Sequence, residues 1–93
     1  MTINEMIKKI EKNTNIRVLD IYDCNESVYV AECINSITKS MIGDFYYIVS
    51  KDKDDFRCFN PAENPGIFIN LMKKKKSVYT NKEAYKLLPL NTH

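Results

Sequence analysis

Histidine is nearly missing from this chain: the only one is His93, the last residue. A serine or cysteine nucleophile needs a base within reach, and one imidazole at a chain end is badly placed to serve. Glycine is almost as scarce, Gly43 and Gly66 being the only two, so no glycine-rich loop can cradle a phosphate. The three cysteines, Cys24, Cys33 and Cys58, lie far apart with no Cys-x-x-Cys pair. That spacing argues against a disulfide frame or a zinc site and fits reduced, mostly buried thiols. No stretch approaches the roughly 18 apolar residues of a membrane-crossing helix. The opening segment is broken by Glu5, Lys8, Lys9, Glu11 and Lys12 and has no apolar core of a signal peptide. From these absences a cytoplasmic protein is expected, with no membrane partner, no cofactor, no metal and no catalytic residues.

What is present is enough for one domain. In 93 residues, apolar side chains at 44% and aromatics at 11% can fill a single core. Charged residues make up 28% and nearly cancel, leaving a net charge of +2, so no global field announces nucleic acid. The basic residues are lysines except for Arg17 and Arg57. With the abundant Asn and Ile, that composition looks like the translation of an AT-rich coding sequence.

Local patterns set the expected order of elements. Thr2 and Glu5 form a capping-box pair, and Ile3, Met6, Ile7 and Ile10 recur at helical spacing behind it. Ile16 to Tyr22 and Val28 to Ile34 read as two strands of an antiparallel hairpin around Asp23-Cys24-Asn25-Glu26-Ser27. Residues 35–43 fit a loop, a short helix or an extension of the second strand. Phe45 to Ser50 and Phe56 to Phe59 read as a third and a fourth strand about the charged tip Lys51-Asp52-Lys53-Asp54-Asp55. Asn64-Pro65 can open a helix with Ile67, Phe68, Leu71 and Met72 inward, running out through Lys76; a strand over 67–71 is the alternative. Thr80 and Glu83 suggest a second capping box, for a short helix with Ala84, Leu87 and Leu88 inward that Pro89 ends. The expected fold is a single α+β domain over residues 1–93. An N-terminal helix packs on a three- to four-stranded antiparallel sheet, followed by one or two short C-terminal helices.

Few groups in the sequence offer chemistry. Asp52, Asp54 and Asp55 come nearest to a metal site, but Phe56 and Arg57 stand where a calcium loop needs a ligand and a glycine. The plain alternative is a solvated hairpin tip. Asp20 and Glu32 can face each other across the first hairpin like nuclease carboxylates. However, Cys33 and Ile34 follow Glu32 where such sites carry Glu-x-Lys. Lys73, Lys74, Lys75 and Lys76, with Tyr79 beyond, are the densest charge feature. They suit phosphate contacts, and equally the cationic end of a helix. Strand aromatics can stack bases, yet alternation commits one set to the core. Tyr46 and Tyr79 are the better candidates for an exposed partner-binding surface.

The element order, and two segments in particular, carry a resemblance. Met1-Thr2-Ile3-Asn4-Glu5-Met6-Ile7-Lys8-Lys9-Ile10 is similar to the start of small phage-encoded anti-CRISPR proteins that inhibit Cas9, and Tyr47-Ile48-Val49-Ser50 resembles their last strand. The similarity covers about a fifth of the chain. Best-known inhibitors of that layout are strongly acidic DNA mimics, whereas this chain is slightly basic, so only Asp52, Asp54 and Asp55 offer a local acidic prong. The resemblance implies steric inhibition of a defence nuclease, through contacts to the Cas effector and to its guide RNA, which the lysine run would suit. Read from the residues alone, direct nucleic-acid binding and an immunity- or antitoxin-type role remain alternatives.

Overall fold

Thr2 accepts from the Glu5 amide at 3.1 Å while the Glu5 carboxylate accepts from the Thr2 amide at 2.9 Å, and this closed box opens helix α1, Ile3–Ile10. Its inward stripe buries Met6 and Ile10, with Ile3 and Ile7 partly covered beside them. The computed structural model describes residues 2–12, 15–37, 46–53 and 55–86. The expected strand residue Phe45, the undecided residues 38–43, Asp54, and Leu87, Leu88, Pro89 and His93 lie outside them.

Strands β1 (Ile16–Asp23) and β2 (Val28–Asn35) form the expected antiparallel hairpin. Asn25 takes the left-handed conformation at φ 59°, and its amide donates to the Asp23 carboxylate at 2.9 Å. Asparagine tolerates that backbone better than most residues and so turns the chain there. Strands β3 (Tyr46–Ser50) and β4 (Phe56–Phe59) follow, then helix α2 (Pro65–Lys73), strand β5 (Lys76–Thr80) and helix α3 (Lys82–Tyr85). The sheet is antiparallel throughout, in the order β4-β3-β2-β1-β5.

Strand β5 is an addition to the sequence reading. The sequence reading ends a helix at Lys76 and gives Thr80 to the cap of the next, yet residues 76–80 pair with the outer side of β1, Lys76 opposite Asp23 and Thr80 opposite Asp20. The cap of α3 shifts as a consequence. Asn81, not Thr80, accepts from the Glu83 and Ala84 amides, at 3.1 and 3.2 Å. At the other helix, Pro65 does stand at the start of α2, where its missing N–H costs nothing. Phe68, Leu71 and Met72 are half-buried, as the helical spacing implies, but Ile67 is exposed and α2 buries no residue fully.

Alternation along the strands creates two unlike faces. On one, Val18, Ile21, Ala31, Cys33 and Val49 pack with Ile16 against Met6 and Ile10 of α1, flanked by Tyr29, Tyr47 and Tyr79. The other face carries Asp20, Tyr22, Glu32, Tyr46 and Ile48 and is crossed by α2 on its way from β4 to β5. A register shift between Val18 and Asp20 makes Leu19 an extra residue in β1. Such a bulge turns Leu19 away from α1, into a second small cluster with Ile34, Ala84 and Tyr85.

Candidate interaction rim

Strand direction decides which loops meet. β1 ends, and β2 begins, at the same end of the sheet as the β3–β4 tip, because Asp23 pairs with Tyr29 and Val28 with Ser50. Lys76 pairs with Asp23, so the α2–β5 junction lies there too. The lysine run and the acidic tip, far apart in sequence, therefore share one rim, separated by three to four strand spacings, or about 15–20 Å.

The middle of the rim is tied together. Lys51 Nζ lies 2.8 Å from an Asp23 carboxylate oxygen and 5.0 Å from the Tyr29 ring centre, and its amide donates to the Ser27 carbonyl at 2.9 Å. The Lys51 hydrogen bond, first of all, holds the Asp23 carboxyl below its ordinary value, and the same bond raises Lys51. To either side the charges form no ion pair among the described residues. Asp52 and Asp55 make no side-chain hydrogen bond or ion pair, and none of Lys73, Lys74, Lys75 and Lys76 makes an ion pair, among the described residues. Lys75 does place its ammonium 4.7 Å from the centre of the Tyr22 ring. A cavity of about 380 Å³ opens beside the tip, with Val28, Ile48 and Phe56 among its apolar lining and Asp52, Lys53, Asp55 and Arg57 among its charges.

Of the sequence candidates, Asp52, Asp55, Lys73, Lys74, Lys75 and Lys76 gather at this rim, and Asp54 is outside the described residues. Tyr46 and Tyr79 do not lie on an open surface as expected. Tyr46 is half-buried, its ring 4.9 Å from that of Phe68 and its hydroxyl donating to Glu32 at 2.8 Å. Tyr79 is half-buried beside the α1 core. Both positions follow from strand pairing: the first lies under α2, and the second shares a face with Ile21, its partner in β1.

The Asp20–Glu32 pair does form, directly across β1 and β2. Each carboxylate is filled by hydroxyl donors. Asp20, only 5% exposed, accepts from Ser77 at 3.1 Å, from Thr80 at 2.6 Å and from Tyr85. Glu32 accepts from Tyr22 at 3.3 Å as well as from Tyr46. Burial, followed by the neighbouring carboxylates, pushes the Tyr22 phenol far above its ordinary value; for Tyr85 the causes are burial and then its bond to Asp20. A tyrosine whose folded value is raised contributes stability that is complete below its unfolded value of about 10 and vanishes as pH climbs through the folded one. In a spectrophotometric base titration, Tyr22 and Tyr85 should ionise only together with loss of the far-ultraviolet signal of the sheet. Early, non-cooperative ionisation of all tyrosines would show that these hydroxyls are not held.

One further feature escaped the sequence reading. Cys58 is exposed, unlike the buried Cys24 and Cys33, because its strand ends the sheet. Among the described residues no three His, Cys, Asp or Glu side chains gather as a metal site, and no helix is long and apolar enough to cross a membrane. The fold and rim define the class as a small α+β domain with a charged end. No family model, curated protein or solved structure matches the chain.

Proposed function

We propose that this chain is a non-enzymatic binding protein of the phage inhibitor type, which docks on a CRISPR–Cas or other host defence nuclease in the bacterial cytoplasm. It blocks nucleic-acid entry or an activating conformational step. The observation that carries the reading is the contrast between two sets of charges. The carboxylates on the sheet face, Asp20 and Glu32, accept from hydroxyl donors within the fold. At the rim Asp52, Asp55 and the lysines from Lys73 to Lys76 form no ion pair among the described residues, and they present both signs, as a protein carrying its own guide RNA would require. Charges arranged this way steer association and select partners more than they add raw affinity.

A tagged pull-down from lysate containing CRISPR effectors, with and without nuclease treatment, tests the proposal. Retention of one effector after treatment supports it. Recovery of nucleic acid alone, lost on treatment, would instead favour direct nucleic-acid binding through Lys73 to Lys76. A Lys73→Glu/Lys74→Glu variant leaves Lys75 on Tyr22, so its fold should survive. Its capture of the effector should fall clearly at low salt and approach that of the parent at high salt, where exposed charges are screened. Equal capture at every salt concentration would reduce the lysine run to a solvated helix end.

A further inference from the structure

The sheet has two edges of different character. β5 begins on Lys76, and its ladder with β1 is interrupted by a register shift between Ile21 and Tyr22. Lysines and bulges are both devices that keep an edge from recruiting another strand. β4 has neither. Its register with β3 runs unbroken from Tyr46 opposite Phe59 to Val49 opposite Phe56, and Phe56, Arg57 and Cys58 are exposed.

Hydrogen-bond phase shows what that edge offers. The Ser50 amide donates to the Asp55 carbonyl at 3.2 Å. In an antiparallel ladder hydrogen-bonded pairs alternate with unbonded ones. Arg57 and Phe59 therefore bond towards β3, whereas the N–H and C=O groups of Phe56 and Cys58 point outward. Those outward groups have no partner among the described residues. Arg57 shares the face of Ile48, its neighbour in β3, and lines the 380 Å³ cavity together with Asp55. Neither side chain is ion-paired among the described residues.

We propose that the free edge of β4 receives an extended, antiparallel strand from the protein partner. An acidic side chain of that strand lies opposite Arg57, and a basic one, two residues further on, lies opposite Asp55. The inference rests on the reading that the partner is a protein, and adds how it docks. Two outward N–H and two outward C=O groups give the main-chain bonds, the mode by which sheet edges bind peptides. Opposite charges directly across a ladder stabilise it, and like charges weaken it. A second copy of this chain paired about Phe56 would also meet this rule, Asp55 facing Arg57 in both directions, so concentration-dependent dimerisation of the free chain through β4 would overturn the proposal.

The test uses the whole chain and two blocked hexapeptides, Thr-Val-Glu-Val-Lys-Thr and its charge-swapped partner Thr-Val-Lys-Val-Glu-Thr, titrated by amide NMR. The first peptide should give saturable shifts at Phe56, Arg57 and Cys58, slow exchange of the Phe56 and Cys58 amides, and no shift at Val78 or Tyr79. The swapped peptide should bind about fivefold more weakly. A Cys58→Pro variant removes only an outward N–H, so the β3 ladder should persist while binding falls at least about tenfold. If that variant fails to fold, the first peptide N-methylated at the valine between Glu and Lys, which lies opposite Phe56, makes the same test from the ligand side. Diffuse or unsaturable shifts, equal binding of the two peptides, or binding that survives N-methylation would overturn the proposal. An effector captured in the pull-down despite a failed titration would leave the inhibitor reading standing and remove only this docking mode.

Discussion

Replacing Asp20 by alanine should destabilise the fold by about 3 kcal/mol, a large share of the stability of a domain this small. Three hydroxyls converge on this carboxylate, from Ser77, Thr80 and Tyr85. They come from β5 and α3, so one side chain of β1 anchors both C-terminal elements. Removing the acceptor orphans the half-buried Tyr85 hydroxyl above all, since Ser77 and Thr80 are exposed and lie 3.2 Å from each other, and an orphaned donor costs more than the bond itself was worth. Asp20→Asn keeps one acceptor oxygen but adds an amide that these hydroxyls must now receive, so an intermediate loss, about half as large, is expected. Urea denaturation of the two variants measures both. An Asp20→Ala loss below about 1 kcal/mol would show that water replaces the carboxylate without penalty.

Leu19→Ala should cost a similar amount, about 2–5 kcal/mol. The side chain is fully buried, and with Ile34 it forms the apolar seat on which Ala84 and Tyr85 rest. Truncation removes buried methyl groups and leaves a cavity that the rigid β1–β2 ladder cannot close. Its effect should also reach α3, since little else of that helix is covered: Ala84 is its only buried residue. Hydrogen exchange should therefore quicken first at the Tyr85 and Lys86 amides, which bond to Asn81 and Glu83 carbonyls. Uniform quickening across α1 and the sheet would mean that the two clusters fold as one unit and that Leu19 has no special tie to α3.

Both effects depend on features that differ in how visible they were in the sequence. The cap and apolar spacing of α1 were legible because every partner lies within one or two helical turns. The first hairpin and the bounds of β4 were legible for a related reason: strand-forming residues are bracketed by turn residues only a few positions away. β5 was not. The segment Lys76-Ser77-Val78-Tyr79-Thr80 follows three lysines that extend a helix well, and what makes it a strand is the vacant side of β1, more than fifty residues earlier. Once it pairs there, Thr80 serves Asp20 rather than the α3 amides, and Asn81 takes over the cap. Tyr46 and Tyr79 were misplaced on the surface because alternation separates faces without saying what covers them. α2 and α1 do the covering.

The candidate rim divides along the same line. Which side chains are charged could be read directly from residue types. That the acidic tip and the lysine run stand at one end of the sheet could not, because it depends on strand direction and on β5 joining beside β1. By itself the sequence determined the helix and strand segments with local signals and the nearly balanced charge, since these rest on propensity, periodicity and counting. Only the tertiary structure decided the fifth strand, the outward turn of Leu19, the hydroxyl-filled carboxylates and the free edge of β4. Each of these depends on pairing between distant segments, whose hydrogen bonds and burial outweigh what any local stretch prefers.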